Sequence, residues 1–149
     1  MARIDLVVGT VYGNAQDIAE FLQELLAAAG HRVTLDTTPS LDSLLADPPD
    51  LLLICTSTTG QGDLPDNIVP FYYALQERFP VLAQQAYAIV GLGDAAYDDT
   101  FAMGGKQFEQ LLCELQARPL VPMLILDAAS AEDPFAHTQA WSEGLLQAL

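Results

Sequence analysis

The sequence predicts an α/β fold: a doubly wound, five-stranded parallel sheet with helices on both faces. Three observations carry this expectation. Strand-like apolar runs alternate with helix-period runs along the whole chain. The run Leu51–Thr56 is continuously apolar, as in a strand covered on both faces. The most Gly-rich polar segments follow strand-like runs, where open sheets of this kind bind ligands. The 149 residues suit one domain, taken as residues 1–149.

Each element has its own signal. Arg3–Gly9 is a mostly buried strand. A helix is expected over 14–29, because Ile18, Phe21, Leu22, Leu25, Leu26 and Ala29 recur at three- and four-residue steps. Gly30 suits the stop that follows it. Val33 and Leu35 alternate with polar residues in a short second strand, and a brief helix over Leu41–Ala46 precedes the third strand at Leu51–Thr56. A helix over 67–79 carries Ile68, Phe71, Tyr72, Leu75 and Phe79, with Pro70 in its tolerated first turn and Asp66 or Asn67 as its cap. Residues 86–91 form a fourth strand, Phe108, Leu111, Leu112 and Leu115 mark a fourth helix from about Gly104, and 120–126 a fifth strand. Pro122 assigns that strand to an edge, since it cannot donate to a central ladder. Residues 141–149 close the chain as a fifth helix.

Composition narrows the function. Five Lys and Arg stand against 20 Asp and Glu, a formal charge of −15. Nucleic acid and anionic membranes both require a basic surface, so neither is expected as a partner. A basic protein partner is favoured instead. No stretch approaches the roughly 18 apolar residues of a membrane span, and the N-terminus has no signal-peptide apolar region, so a cytoplasmic protein is expected. Cys55 and Cys113 lie far apart, form no metal-ligand cluster, and are expected as two buried thiols in a reducing compartment. No metal site is expected: Asp94, Asp98 and Asp99 lack calcium-loop spacing. His31 and His137 lie away from the candidate loops.

Three loops follow strands one, three and four and should converge at one end of the sheet. The first, Thr10, Val11, Tyr12, Gly13, Asn14 and Ala15, opens directly into a helix. Its N–H groups favour an anion without any Lys or Arg, although an ordinary capping turn has the same sequence. The second, from Ser57 through Thr58, Thr59 and Gly60, has small side chains that leave room for a flat group against the backbone. The third, Leu92, Gly93 and Asp94 with Tyr97 beyond, offers an aromatic ring for stacking. Gly91, Gly93 and Ala96 also fit the dinucleotide fingerprint, but no helix follows them directly, and no P-loop is present.

At these loops the chain resembles the flavodoxins, and within them the short-chain, MioC-like group. The matching stretches are Gly9-Thr-Val-Tyr-Gly-Asn14, Thr56-Ser-Thr-Thr-Gly-Gln-Gly-Asp-Leu-Pro-Asp-Asn67, Leu92-Gly-Asp-Ala-Ala-Tyr97 and Gly104-Gly-Lys-Gln-Phe108. The likeness runs nearly end to end, without the fifth-strand insertion of the long-chain type. It implies strand order 2-1-3-4-5 and one noncovalent FMN. The phosphate loop would be Thr10 to Ala15. Ser57, Thr58, Thr59 and Gly60 would flank the isoalloxazine, Tyr97 would stack on it, and Phe101 would close the loop that also holds Leu92, Gly93 and Asp94. Gly60 matches the glycine whose carbonyl turns toward the flavin N5. Tyr12 and Ala15 replace hydroxyl residues common in the phosphate loop, and Thr59 stands where many relatives place a second aromatic lid.

The resemblance implies a low-potential electron carrier, a monomer that takes electrons from a basic NADPH- or flavin-dependent reductase and passes them to acceptor redox enzymes. Two alternatives share the fold: an FMN-dependent quinone or nitro reductase, and a cofactor-less interaction protein. Asp63, Asp66, Asp94, Asp98 and Asp99 crowd the proposed flavin loops, and a carboxylate ~10 Å from a reduced flavin opposes its charge by ~0.4 kcal/mol in water or ~1.7 at an effective dielectric of ~20.

Overall fold

The alternating pattern folds as its periodicity dictates. In the computed structural model, which describes residues 1–11, 13–58, 63–93, 103–127, 130 and 132–149, eleven elements follow in order. They are β1 (Arg3–Gly9), α1 (Asn14–Ala28), β2 (Arg32–Asp36), α2 (Leu41–Ala46), β3 (Leu51–Thr56) and α3 (Val69–Arg78), then β4 (Ala86–Gly93), α4 (Met103–Glu114), β5 (Arg118–Pro119), β6 (Leu124–Asp127) and α5 (Pro134–Ala148).

The sheet is parallel, in the order β2-β1-β3-β4-β5, and β6 also pairs with β4. Alternate side chains of each strand enter opposite cores, because successive residues point to opposite faces. Val7, Leu52, Ile54, Tyr87 and Ile89 pack with residues of α2, α3 and α4 on one face. Ile4, Leu6, Val8, Leu53, Cys55, Ala88 and Val90 pack with those of α1 and α5 on the other. Every residue of β3 is buried, which explains its unbroken apolar run. The register aligns Gly9 with Thr56, and Thr56 with Gly91, so β1, β3 and β4 share one row near their carboxyl ends.

Five expectations need correction. The fifth position is not one strand over 120–126 but two short ones: β5 pairs with Ala86 and Tyr87, β6 with Val90 to Gly93. Pro122 lies in the interruption rather than within a strand, since it lacks the N–H a ladder needs, and its carbonyl accepts from the Trp141 indole at 2.9 Å. The last helix starts at Pro134, not near 141, capped by the Asp133 side chain accepting from the Phe135 amide at 2.9 Å. α3 begins at Val69, and neither Asp66 nor Asn67 caps it; Ile68 holds that position without a side-chain bond. Cys113 is exposed, because it falls on the outer arc of α4 next to buried Leu111 and Leu112; only Cys55 is buried.

Candidate functional site

The carboxyl ends of β1 and β3 part the chain in opposite directions: β1 leads outward to β2, whereas β3 leads to β4. A crevice at this switch in strand order is where open parallel sheets bind ligands. The loop after β1 enters α1 through Gly13, whose φ of 90° lies in the left-handed region that only glycine enters without strain. Among the described residues, a Cβ at Gly13 would meet nothing within 4 Å.

Among the described residues, no side chain caps α1. Its first intrahelical bond runs from the Asp17 amide to the Gly13 carbonyl at 2.9 Å. The amides of Asn14, Ala15 and Gln16 precede that bond and so have no acceptor within the helix. They form a neutral donor cluster at the positive end of the helix dipole, suited to a phosphate. Thr10 adds to it. Its Oγ1 accepts from the Gly13 amide at 2.9 Å, which leaves the hydroxyl proton free to be donated. These residues fit the phosphate of a mononucleotide. The fit needs no cation, as the sequence requires.

Below this turn, Ala15 is fully buried, and the Cys55 thiol donates to its carbonyl at 3.3 Å. Complete burial pushes the Cys55 thiol up to about 12, because a thiolate there would lose its hydration. Cys55 therefore seats α1 as a neutral donor. Val11 is exposed at the tip of the loop.

The β3 and β4 loops are tied to each other and to α4. The Ser57 amide donates to the Gly9 carbonyl at 2.9 Å, and its hydroxyl reaches the same oxygen at 3.4 Å. The Thr58 hydroxyl donates to the Leu92 carbonyl at 3.1 Å and accepts from the Gly104 amide at 3.0 Å, capping the first turn of α4. Gly104 and Gly105 permit this seating: a Cβ on Gly104 would lie 2.6 Å from the Ser57 carbonyl, and one on Gly105 3.0 Å from Gly91 Cα. Leu92 and Gly93 are half-buried at the end of β4, in register with Leu126 and Asp127 of β6.

Of the residues expected at the site, Thr10, Val11, Gly13, Asn14, Ala15, Ser57, Thr58, Leu92 and Gly93 fall at this one end of the sheet. Tyr12, Thr59, Gly60, Asp94, Tyr97 and Phe101 lie outside the described residues. Gly9, Asn67, Gly104 and Gly105 were given no site role by sequence reasoning. The glycines were signalled only by their occurrence in the matching stretches, and Asn67 looked like a helix cap. His31 and His137 stand apart: His31 Nδ1 accepts from the Ala2 amide at 2.9 Å, and His137 pairs with Glu132. Among the described residues there is no metal-ligand cluster and no helix long and apolar enough to cross a membrane.

A parallel sheet of this order, with an uncapped helix N-terminus at its switch point, defines a mononucleotide-binding protein of the doubly wound class. The Flavodoxin family model matches residues 6–141. Flavodoxin YqcA of Escherichia coli K12 is 39% identical over 143 residues, 96% of this chain and 95% of that protein. Protein MioC of the same strain is 38% identical over 137 residues, 90% and 91% of the two chains. A solved cysteine-to-alanine mutant of flavodoxin from Pseudomonas aeruginosa superposes with a TM-score of 0.90 at 41% identity, covering 99% of this chain and 98% of that one. The chain belongs to the flavodoxin family, as a short-chain, MioC-like member. Its cofactor is FMN, and it carries electrons between redox partners rather than catalysing a reaction alone.

Proposed function

We propose that this chain acts as one domain over 1–149, a cytoplasmic monomer that holds FMN by its phosphate at the N-terminus of α1 and meets basic redox partners at the same end of the sheet. The amides of Asn14, Ala15 and Gln16, with Gly13, Val11 and the Thr10 hydroxyl, bind the phosphate. Ser57 and Thr58 line one side of the flavin ring, and Leu92 and Gly93 the other. Tyr12, Thr59, Gly60, Asp94, Tyr97 and Phe101 complete the site by their places in the matching motifs. FMN supplies the redox chemistry; the chain binds it, orients it and sets its surroundings.

The distribution of charge supports this account of the partner. Arg3, Arg32 and Arg118 open β1, β2 and β5, at the amino ends of the strands, and Arg78 lies in the last turn of α3. Arg3 is bound to Asp47 at 2.7 Å, and Arg78 pairs with Asp42. The fifth basic residue, Lys106, is in the first turn of α4, at the site end, where carboxylates outnumber it. Carboxylates mark the other end: Asp36 ends β2, Asp127 ends β6, and Asp63 and Asp66 lie between β3 and α3. This polarity gives the chain a negative pole beside the flavin loops. Such a pole steers a basic reductase, and then a basic acceptor, toward the exposed flavin edge.

The same polarity explains how an acidic chain holds an anionic phosphate. Backbone donors contact it directly, at short range, while the carboxylates act at longer range through solvent. Stopped-flow electron transfer from an NADPH-dependent reductase tests the partner reading. The rate should fall about tenfold or more between low salt and ~0.5 M salt. A rate indifferent to ionic strength contradicts it.

A further inference from the structure

β1 outruns β2. Their pairing ends at Val7 with Asp36, yet β1 continues to Gly9, opposite Thr56 of β3. The Gly9 carbonyl faces β3, where it accepts from the Ser57 amide. Backbone groups two residues apart share a side and neighbours alternate, so the Val8 carbonyl and the Thr10 amide face the place β2 has left.

The side chain of Asn67 occupies that place. Its Nδ2 donates to the Val8 carbonyl at 2.6 Å, and its Oδ1 accepts from the Thr10 amide at 3.0 Å. A residue of a parallel neighbour standing opposite Gly9 would make the same two bonds with its backbone. The second Nδ2 proton goes to the carbonyl of Thr37, the first residue after β2, at 2.8 Å. Two carbonyls require the amide nitrogen and one N–H requires the oxygen, so the partners fix the orientation of the carboxamide. Gly9 lets β1 lie close to the segment that carries Asn67: a Cβ there would come within 2.9 Å of Ile68 Cγ2, the next residue in the chain.

We propose that Asn67 is a positioning residue for the FMN phosphate, its carboxamide standing in for the missing strand and fixing how β1 delivers the chain to α1. A chain of two bonds carries the effect: Asn67 holds the Thr10 amide, and the Thr10 hydroxyl holds the Gly13 amide at the start of the helix. The Asn14 and Ala15 amides are thereby held in place for the phosphate, and the hydroxyl proton of Thr10 is left to be donated to it. The inference rests on the phosphate being bound at this loop. It places no demand on the flavin ring or on redox chemistry, and that separation makes it testable.

The test compares FMN with riboflavin, which lacks the phosphate, by fluorescence titration of the FMN-free protein and of Asn67→Ala. The unsubstituted protein should prefer FMN. In Asn67→Ala, FMN affinity should fall about tenfold or more, as expected when two half-buried bonds that order the phosphate loop are lost, while riboflavin affinity stays within about threefold. Equal losses for both ligands, or no loss for FMN, would overturn the proposal. An unsubstituted protein that binds FMN no better than riboflavin would instead overturn the phosphate site itself. A second measurement needs no variant. In the FMN-free protein the Thr10 amide should exchange with solvent at least about tenfold more slowly than that of exposed Val11; equal rates refute the clamp.

Discussion

Gly9→Ala tests the packing at the switch point. A Cβ at Gly9 would lie 2.5 Å from Thr56 Oγ1, 2.9 Å from Ile68 Cγ2 and 3.2 Å from Thr56 Cβ. Thr56 and Ile68 are both fully buried, so neither neighbour can swing into solvent. Overpacking of this kind costs about 1–3 kcal/mol. The lost flexibility of the unfolded chain offsets about 0.4–1 kcal/mol of that, because Gly9 has no left-handed φ that alanine would resist. With two atoms inside 3.0 Å the cost falls in the upper half of that range, and the net expectation is about 1–2 kcal/mol. With an m-value of roughly 2 kcal/mol/M, the urea midpoint of the FMN-free protein drops by about 0.5–1 M. The cause is separable by a double-mutant cycle with Thr56→Ala, which removes the nearest atom. If the clash is the cause, the double variant should be more stable than the sum of the single changes predicts, by about 1 kcal/mol. A Gly9→Ala protein as stable as the parent would refute the close approach. Additive effects in the cycle would refute its assignment to Thr56.

Three further predictions concern the Thr58 cap, the buried Cys55 and Tyr87, and the exposed Cys113. Thr58→Ala should cost about 1 kcal/mol and speed exchange of the Gly104 amide, because the hydroxyl caps α4; Thr58→Ser should restore both, and an unchanged Gly104 amide would count against the cap. Burial raises the Cys55 thiol to about 12 and the Tyr87 phenol to about 12, from 9.0 and 10.0. The unfolded chain therefore loses these protons first as pH rises. Stability should be independent of both groups below about pH 9 and fall between about pH 9 and 12, and urea midpoints that stay flat across that window would contradict it. At neutral pH, a thiol reagent should modify Cys113 and leave Cys55 untouched in the folded protein.

Much of the fold was legible because apolar periodicity and burial coincide. β3 is the clearest case, with six buried residues in a row, and α2 begins and ends where its pattern does. α5 was misjudged because two of its three buried positions are hydroxylated. Thr138 donates to the Pro134 carbonyl at 2.8 Å and Ser142 to that of Gln139 at 2.7 Å, so the helix satisfies its own buried polar groups and shows a weak apolar stripe. The Asp133-Pro134 pair was the available signal. The break between β5 and β6 was half visible in Pro122, which marks a position without a donor but does not say that the ladder splits around it.

The site was legible as a place more than as a network. Gly-rich loops after β1, β3 and β4 had to converge, because parallel strands put their carboxyl ends together. Asn67 could not be assigned from its position, since an Asn just before a helix most often caps it. Its actual partners, Val8, Thr10 and Thr37, are set by where β2 stops relative to β1, a property of the folded sheet.

The central claim is that an acidic chain binds FMN through neutral amides at the start of α1. Titration of the isotopically labelled, FMN-free protein with FMN, followed by amide resonances, tests it most directly. The account predicts one FMN per chain, with the Asn14, Ala15 and Gln16 amides shifting downfield as they acquire a phosphate acceptor. Flavin uptake that leaves those three amides unmoved, or no uptake, would contradict it.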